Sequence, residues 1–323
     1  MATRHLPERF TALAPQPLQR ILVGASLDDG DENLLEAAGS IAQATGASLV
    51  VLHAAEPLDE QWALDTGLAS TDDLRARLAA RAERLIPAGV RFTTGIRPGV
   101  AHRVIAEVAE TMSPDLILIG ATAREGKLLG STAERVVRKA TAPVLVVRGR
   151  FAIPPRRVVA PVDLSDLSAC GLHCGLAMAS RLAAGREIDA VVLFAIGFLD
   201  PMSEEMRLRR WSTEEMTAKA HDRLDEYVAG HLPDARLATE NRVVLGPARE
   251  SILGAAQLAD ADLIVMSTHG HGGFERLILG SVAATIVREA QCSVLLVPPQ
   301  AAFCDQIAEA VLSQTAPCKT ASR

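Results

Sequence analysis

The sequence has no basic surplus, no cysteine framework and no long apolar run. With a net charge of −6 it lacks the positive field that would hold a nucleic-acid backbone or an anionic membrane, so neither is expected as a main partner. No stretch approaches the roughly 18 to 20 consecutive apolar residues that span a bilayer. The N-terminal stretch MATRHLPERFTALAPQPLQR has no apolar core of a secretory leader, so no signal peptide is expected. Five cysteines, an odd and loosely spread set, make no disulfide framework and fit a reducing cytoplasm.

Chemistry-bearing patterns are equally scarce. Cys170 and Cys174 flank His173 at helical i, i+4 spacing, and small apolar cysteines in a helix core explain them more simply than a metal or redox pair. His269 and His271 have no cysteine or carboxylate cluster nearby and read as loop or solvent histidines. Gly120 to Lys127 resembles a P-loop, but five residues separate Gly120 from Gly126 where that motif has four, and Leu128 stands where a Ser or Thr would hold Mg2+. No G-x-G-x-x-G follows the first strand of either half of the chain. No Ser-His-Asp or paired-carboxylate arrangement can be assembled, so no catalytic base is assigned.

What is present is organised around Asp262 to Pro298. An apolar β-branched run, Leu263–Met266, reads as a buried parallel strand. Ser267-Thr268-His269-Gly270 then leads through nine residues to Gly280-Ser281, an amphipathic run to Ala290 and a second apolar strand, Val294–Val297. Where a glycine-containing loop leaves a parallel strand and opens a helix, unpaired backbone N–H groups converge and favour an anion. An ordinary tight turn with an N-cap is the plainer alternative.

The pattern occurs twice, which favours the ligand reading. Asp115 to Arg148 matches it, with Leu116–Ile119, Gly130-Ser131 and Val144–Val147 in the corresponding places. The offset is 150 residues at the Gly-Ser pairs but 147 at the preceding strands, so the first copy lacks three residues in the loop between. A chain of 323 residues also exceeds the usual single-core limit and divides into two domains of roughly 150 residues. The expected divisions are a poorly ordered arm 1–19, domain one 20–148, a linker 149–155, domain two 156–298 and a tail 299–323 with a short helix Phe303–Leu312.

Within domain one the expected elements are strands Ile21–Ala25, Leu49–Ala54 and Val90–Gly95. Helices are expected to Thr45, over Leu74–Leu85 with Thr71 or Asp72 as N-cap, and over Gly99–Thr111. Domain two repeats the order with strands Arg156–Val162, Asp189–Ile196 and Glu240–Leu245, helices Ala169–Leu182, Thr213–Gly230 and Ala248–Ala259, and an insertion 197–212. Strands alternating with helices at this spacing imply parallel sheets.

Pro161-Val162-Asp163, Gly246-Pro247-Ala248 and the loop from Ser267 to Ser281 resemble the universal stress protein family over 20–148 and 156–298. The resemblance implies an α/β fold of two doubly wound five-stranded parallel sheets, order 3-2-1-4-5, with helices on both faces. It also implies a stress-response protein that binds ATP, with Mg2+, in domain two at the strand-order switch. The family pattern is Gly, two residues, Gly, nine residues, Gly, then Ser or Thr. Gly270, Gly280 and Ser281 match it, Asp163 matches the acid after the first strand, and Ser267 replaces the first glycine. Pro161 and Val162 would line the base, with Ala195 beyond them, and Met266 and Val282 would flank the nucleotide; core packing is the alternative for these.

Domain one departs further. Ser26 stands at the position of Asp163, Gly120 is retained, Ala123 replaces Gly270, and six residues separate Ala123 from Gly130. A degenerate site is therefore expected there, with Arg124 and Lys127 as solvated charges. The final strands of the halves are expected to pair as a pseudo-dimer within the chain, with a homodimer as a further step. A slow Mg-dependent ATPase and a ligand-free structural stress protein remain as alternative functions.

Overall fold

A computed structural model describes residues 18–27, 31–55, 70–121, 131–184, 186–197, 211–232, 238–270 and 279–298. The first half contains β1 (Arg20–Ala25), α1 (Asp31–Thr45), β2 (Ser48–Ala55), α2 (Thr71–Leu85), β3 (Phe92–Pro98), α3 (Ala101–Met112), β4 (Leu116–Gly120), α4 (Ser131–Lys139) and β5 (Val144–Val147). The second contains β6 (Arg157–Val162), α5 (Asp166–Leu182), β7 (Asp189–Ile196), α6 (Thr213–His231), β8 (Ala238–Leu245), α7 (Ala248–Leu258), β9 (Leu263–Ser267), α8 (Ser281–Glu289) and β10 (Ser293–Val297).

The strands lie in the order β3-β2-β1-β4-β5-β10-β9-β6-β7-β8. Each half thus has the expected 3-2-1-4-5 order, with parallel pairing inside it. The two five-stranded sheets join edge to edge into one ten-stranded sheet, because β5 and β10 pair antiparallel through Val146 and Val294, Leu145 and Leu295, and Val144 and Leu296. Both strands are fully buried apolar runs whose edges would otherwise be open to association. Their pairing is the intramolecular pseudo-dimer.

Two apolar layers cover the sheet, and each spans both halves. One contains Leu35, Ile41, Leu78, Leu176, Leu182 and Leu224 from α1, α2, α5 and α6. The other contains Ile105, Val136, Ile252 and Ile286 from α3, α4, α7 and α8. Across the seam, Arg288 pairs with Glu134 at 2.7 Å. The Arg148 Nη2 donates to the carbonyls of Val287 (2.9 Å) and Arg288 (3.3 Å) at the end of α8, and its backbone N–H donates to Ser293 Oγ. A cation on the last carbonyls of a helix satisfies acceptors that the helix cannot. Arg148→Ala is expected to lower the unfolding free energy by about 2 kcal/mol in urea titrations; an unchanged midpoint and slope would show that the seam does not need this contact.

Several boundaries differ from the sequence reading. Ser70 is the N-cap of α2, and its side chain and that of Asp73 cap each other reciprocally, so Thr71 and Asp72 are inside the helix. β3 extends further than expected because it follows β2 to the pair Ala55 and Pro98. Leu18, assigned to the arm, is buried in the core. Cys170 is disulfide-bonded, which the expectation of cysteines suited to a reducing cytoplasm did not include. His173 is buried and its Nδ1 meets the His231 carbonyl at 3.0 Å, which makes it a satisfied core histidine. No helix among the described residues is long and apolar enough to cross a membrane. The tail helix 303–312 and most of the insertion 197–212 lie outside the described residues.

Candidate functional site

The site begins where the two strands at the order switch of the second half part company. In the first half the β1–β4 ladder runs from Ile21 and Leu116 to Gly24 and Ile119. Between β6 and β9 it consists of Val158 with Leu263 and Val159 with Ile264 and goes no further. Pro161 stands at the counterpart of Gly24 and has no N–H to extend a ladder. A proline in a central strand would be a defect in a purely structural sheet; here it coincides with a parting of strands at their carboxyl ends, where doubly wound folds place ligands.

Asp163 follows β6 and reaches the loop after β9. A Cβ placed on Gly270 would lie 2.2 Å from the Asp163 Oδ2, so the carboxylate occupies space that only glycine leaves open. The other oxygen, Oδ1, accepts from Ser165 Oγ at 2.6 Å and from the Ser165 N–H at 3.1 Å. Leu164 between them has φ 63°, as Leu27 has φ 64° in the first half, so both turns hold a leucine in the left-handed region. Ser165 also caps α5 by accepting from the Ser168 N–H.

Gly280 is the N-cap of α8 and supplies no side-chain cap, while its own N–H donates to the Thr268 carbonyl at 2.9 Å. The exposed Ser281 begins the helix, with half-buried Val282 behind it. Thr268 Oγ1 and His269 Nδ1 are 2.8 Å apart, and burial lowers the His269 pKa, which favours the neutral ring. Among the described residues, the buried His269 Nε2 has no hydrogen-bond partner.

The structure places Pro161, Val162, Asp163, Met266, Ser267 and Gly270 at the carboxyl ends of β6 and β9, and Gly280, Ser281 and Val282 at the start of α8. Ala195 sits one strand away on β7, paired with Val244. Met266 and Val162 are almost fully buried. Ser267 turns toward α5: a Cβ on Gly171 would lie 2.6 Å from the Ser267 Cβ and from its backbone N. The side chain that replaces the family glycine is therefore accommodated by a glycine on the facing helix. At the corresponding places in the first half, Gly120 faces Leu34, whose Cδ2 would be 3.9 Å from an added Cβ. The small residue has changed sides. His271, the first-half positions Ala123, Arg124, Lys127 and Gly130, and the loop residues 271–278 lie outside the described residues.

Sequence reasoning missed Ser168 and Gly171 as parts of this region. Comparison of the halves carries the signal, because Ser168 corresponds to Asp31 and Gly171 to Leu34. In the first half the carboxylate is drawn back into the turn: Asp31 is 2% exposed, accepts from Ser26 Oγ at 2.9 Å, and accepts a short hydrogen bond from the Leu27 N–H. Burial raises the Asp31 pKa above its ordinary 3.8, against the lowering effect of those bonds. The folded chain thus holds this proton more tightly than the unfolded one. Its contribution to stability is present below pH 3.8 and is lost as pH rises through the raised folded value. A carbon-detected NMR titration of the Asp31 carboxyl is expected to give a midpoint above 3.8; a midpoint at or below it contradicts the dominance of burial.

Against known families, residues 17–148 and 155–298 each match the universal stress protein family. The chain belongs to that family. A universal stress protein of Mycobacterium tuberculosis is 27% identical over 243 residues, covering 73% of this chain and 77% of the relative. Another universal stress protein, from Mycolicibacterium smegmatis, is 26% identical over 302 residues, covering 87% and 97%. Among solved structures, a putative universal stress protein from Pseudomonas aeruginosa superposes with TM-score 0.57 at 22% identity, covering 93% of this chain and 98% of that one. One from Archaeoglobus fulgidus gives TM-score 0.59 at 19% identity, covering 86% and 95%. At these identities the structural likeness speaks for the universal stress protein fold.

Proposed function

We propose that the second half of this universal stress protein binds an adenine nucleotide, ATP, as a regulatory or stabilising ligand, and that the first half is a degenerate copy of the site. The observation that carries this reading is the meeting of Asp163 and Gly270 where β6 and β9 part. Asp163 offers a fixed acceptor for the ribose or adenine, half-buried Pro161 offers apolar surface for the base, and Ser281 with the first N–H groups of α8 offers donors for phosphate. The buried, unpartnered His269 Nε2 supports the same region as a ligand site. Mg2+ fits only as a companion of the nucleotide: among the described residues no group of three or more His, Cys, Asp or Glu is placed to hold a metal, and Mg2+ is commonly bound through substrate phosphates.

In the first half the same turn is closed on itself, since Asp31 takes both Ser26 and Leu27.

A ligand that binds only the folded state stabilises it by about 2.7 kcal/mol at a hundredfold excess over its dissociation constant. The test is to denature the purified protein, identify any released nucleotide and follow phosphate release from ATP. Retained adenine nucleotide with negligible turnover supports the proposal. Steady phosphate release would make the protein an ATPase instead, and the absence of any nucleotide bound before or after ATP addition would leave a structural stress protein.

A further inference from the structure

Tyr227 is the single tyrosine of the chain. It projects from α6 onto the turn that carries Asp163. Its hydroxyl donates to the Ser165 carbonyl at 2.9 Å and lies 2.7 Å from Ser168 Oγ. Ser168 Oγ in turn accepts from the Asp163 N–H at 3.2 Å. Each hydroxyl has one proton, and with Tyr227 donating to Ser165 the only consistent assignment at the next link has Ser168 donating to Tyr227. The bonds then run in one direction, from the Asp163 N–H to Ser168, to Tyr227, to the Ser165 carbonyl. The Ser165 hydroxyl closes the circuit by donating to the Asp163 carboxylate at 2.6 Å.

The circuit belongs to the second half alone. Counted from the capping serines Ser70 and Ser212, the counterpart of Tyr227 is Leu85. The counterpart of Ser168 is Asp31, which bonds directly to its own turn. The half with Asp163 at the strand end has the tyrosine, and the half with a serine there has not. A half-buried phenol that both donates and accepts would serve packing equally well as Phe unless its hydrogen bonds hold something in place. Burial raises the Tyr227 pKa, so the hydroxyl stays protonated and remains a donor at any physiological pH.

We infer that Tyr227 is a positioning residue for the nucleotide site: through Ser165 and Ser168 it holds the Asp163 turn in its ligand-ready shape and links occupancy of the site to α6. The inference rests on the proposed nucleotide site. A ligand that engages the Asp163 carboxylate redistributes the Ser165 bond, and the change passes along the hydroxyls to the phenol. His231, whose ring lies 4.6 Å from that of Tyr227 and whose Nδ1 meets the Tyr227 carbonyl at 2.8 Å, places the end of α6 on the same route.

The test uses the full chain with 3-fluorotyrosine incorporated, which gives one fluorine resonance, together with Tyr227→Phe. ATP titrations monitored by calorimetry and by fluorine NMR are expected to show a resonance shift that saturates with binding in the wild type. Tyr227→Phe is expected to bind ATP about tenfold more weakly. A tyrosine that merely packs would leave the resonance unmoved. If ATP binds the wild type while the resonance stays in place and Tyr227→Phe keeps full affinity, the positioning role is overturned and the nucleotide site stands. If the wild type fails to bind ATP in the calorimeter, the nucleotide site is overturned and this role with it.

Discussion

Gly270→Ala is expected to weaken adenine-nucleotide binding about a hundredfold, or about 2.7 kcal/mol, with little change in unfolding temperature. The added Cβ would stand 2.2 Å from the Asp163 Oδ2, which cannot remain there. The atom that must move is the end of a side chain, so the backbone need not follow. Gly270 has no left-handed φ, and alanine is accommodated without backbone strain. The displaced carboxylate leaves the position in which the Ser165 hydroxyl and N–H hold it. A folded Gly270→Ala protein with wild-type affinity would mean that Asp163 and Gly270 meet for packing only. Calorimetry on the variant, with a thermal melt as the control, decides between these outcomes.

Gly171→Ala is expected to act in the opposite way, lowering stability by about 2 to 3 kcal/mol, the upper range for overpacking a core. Its Cβ would lie 2.6 Å from the Ser267 Cβ, 2.6 Å from the Ser267 N and 2.8 Å from its Cα. Two of those three atoms are backbone of β9, whose residues from Leu263 to Ser267 are all buried, so the strand or the helix must shift. Ser267→Gly on this background removes only the side-chain clash and is expected to restore less than half of the loss. Ser267→Gly alone should change nucleotide affinity by no more than about twofold, because the Ser267 Cβ lies against Gly171 of α5 and its hydroxyl is engaged by the His269 N–H at 3.2 Å. Urea unfolding of the three variants checks the set; a Gly171→Ala protein as stable as wild type would contradict the packing, and a large gain in affinity from Ser267→Gly would mean that serine obstructs the site.

The architecture was legible because it is written twice. Two apolar strands around a Gly-Ser helix start, repeated at 147 to 150 residues, announce the doubled unit, and the strand order follows from its resemblance to the universal stress protein family. The apolar runs Val144–Val147 and Val294–Val297 likewise announced strands in need of cover, and they cover each other. Of the candidate site, Gly270 and Gly280-Ser281 stand out by residue type and spacing, and Asp163 through the family resemblance.

The parts that were not legible depend on register between elements far apart in sequence. Gly171 reads as a helix-weakening residue until α5 is laid on β9, when it becomes the space for Ser267. Tyr227 lies more than sixty residues from Asp163, and nothing local to it indicates a partner. At α2, Thr71 and Asp72 offered plausible caps by type, and the reciprocal bonds of Ser70 with Asp73 decide the matter. β3 is an edge strand whose limits come from its pairing with β2, not from its own apolar pattern.

The most direct test of the central claim is the stoichiometry of ATP binding, measured by calorimetry on nucleotide-free wild type and on Asp163→Ala. One ATP per chain, lost in the variant, is the predicted result. Two per chain, or one that survives Asp163→Ala, would contradict a single site built around Asp163 in the second half.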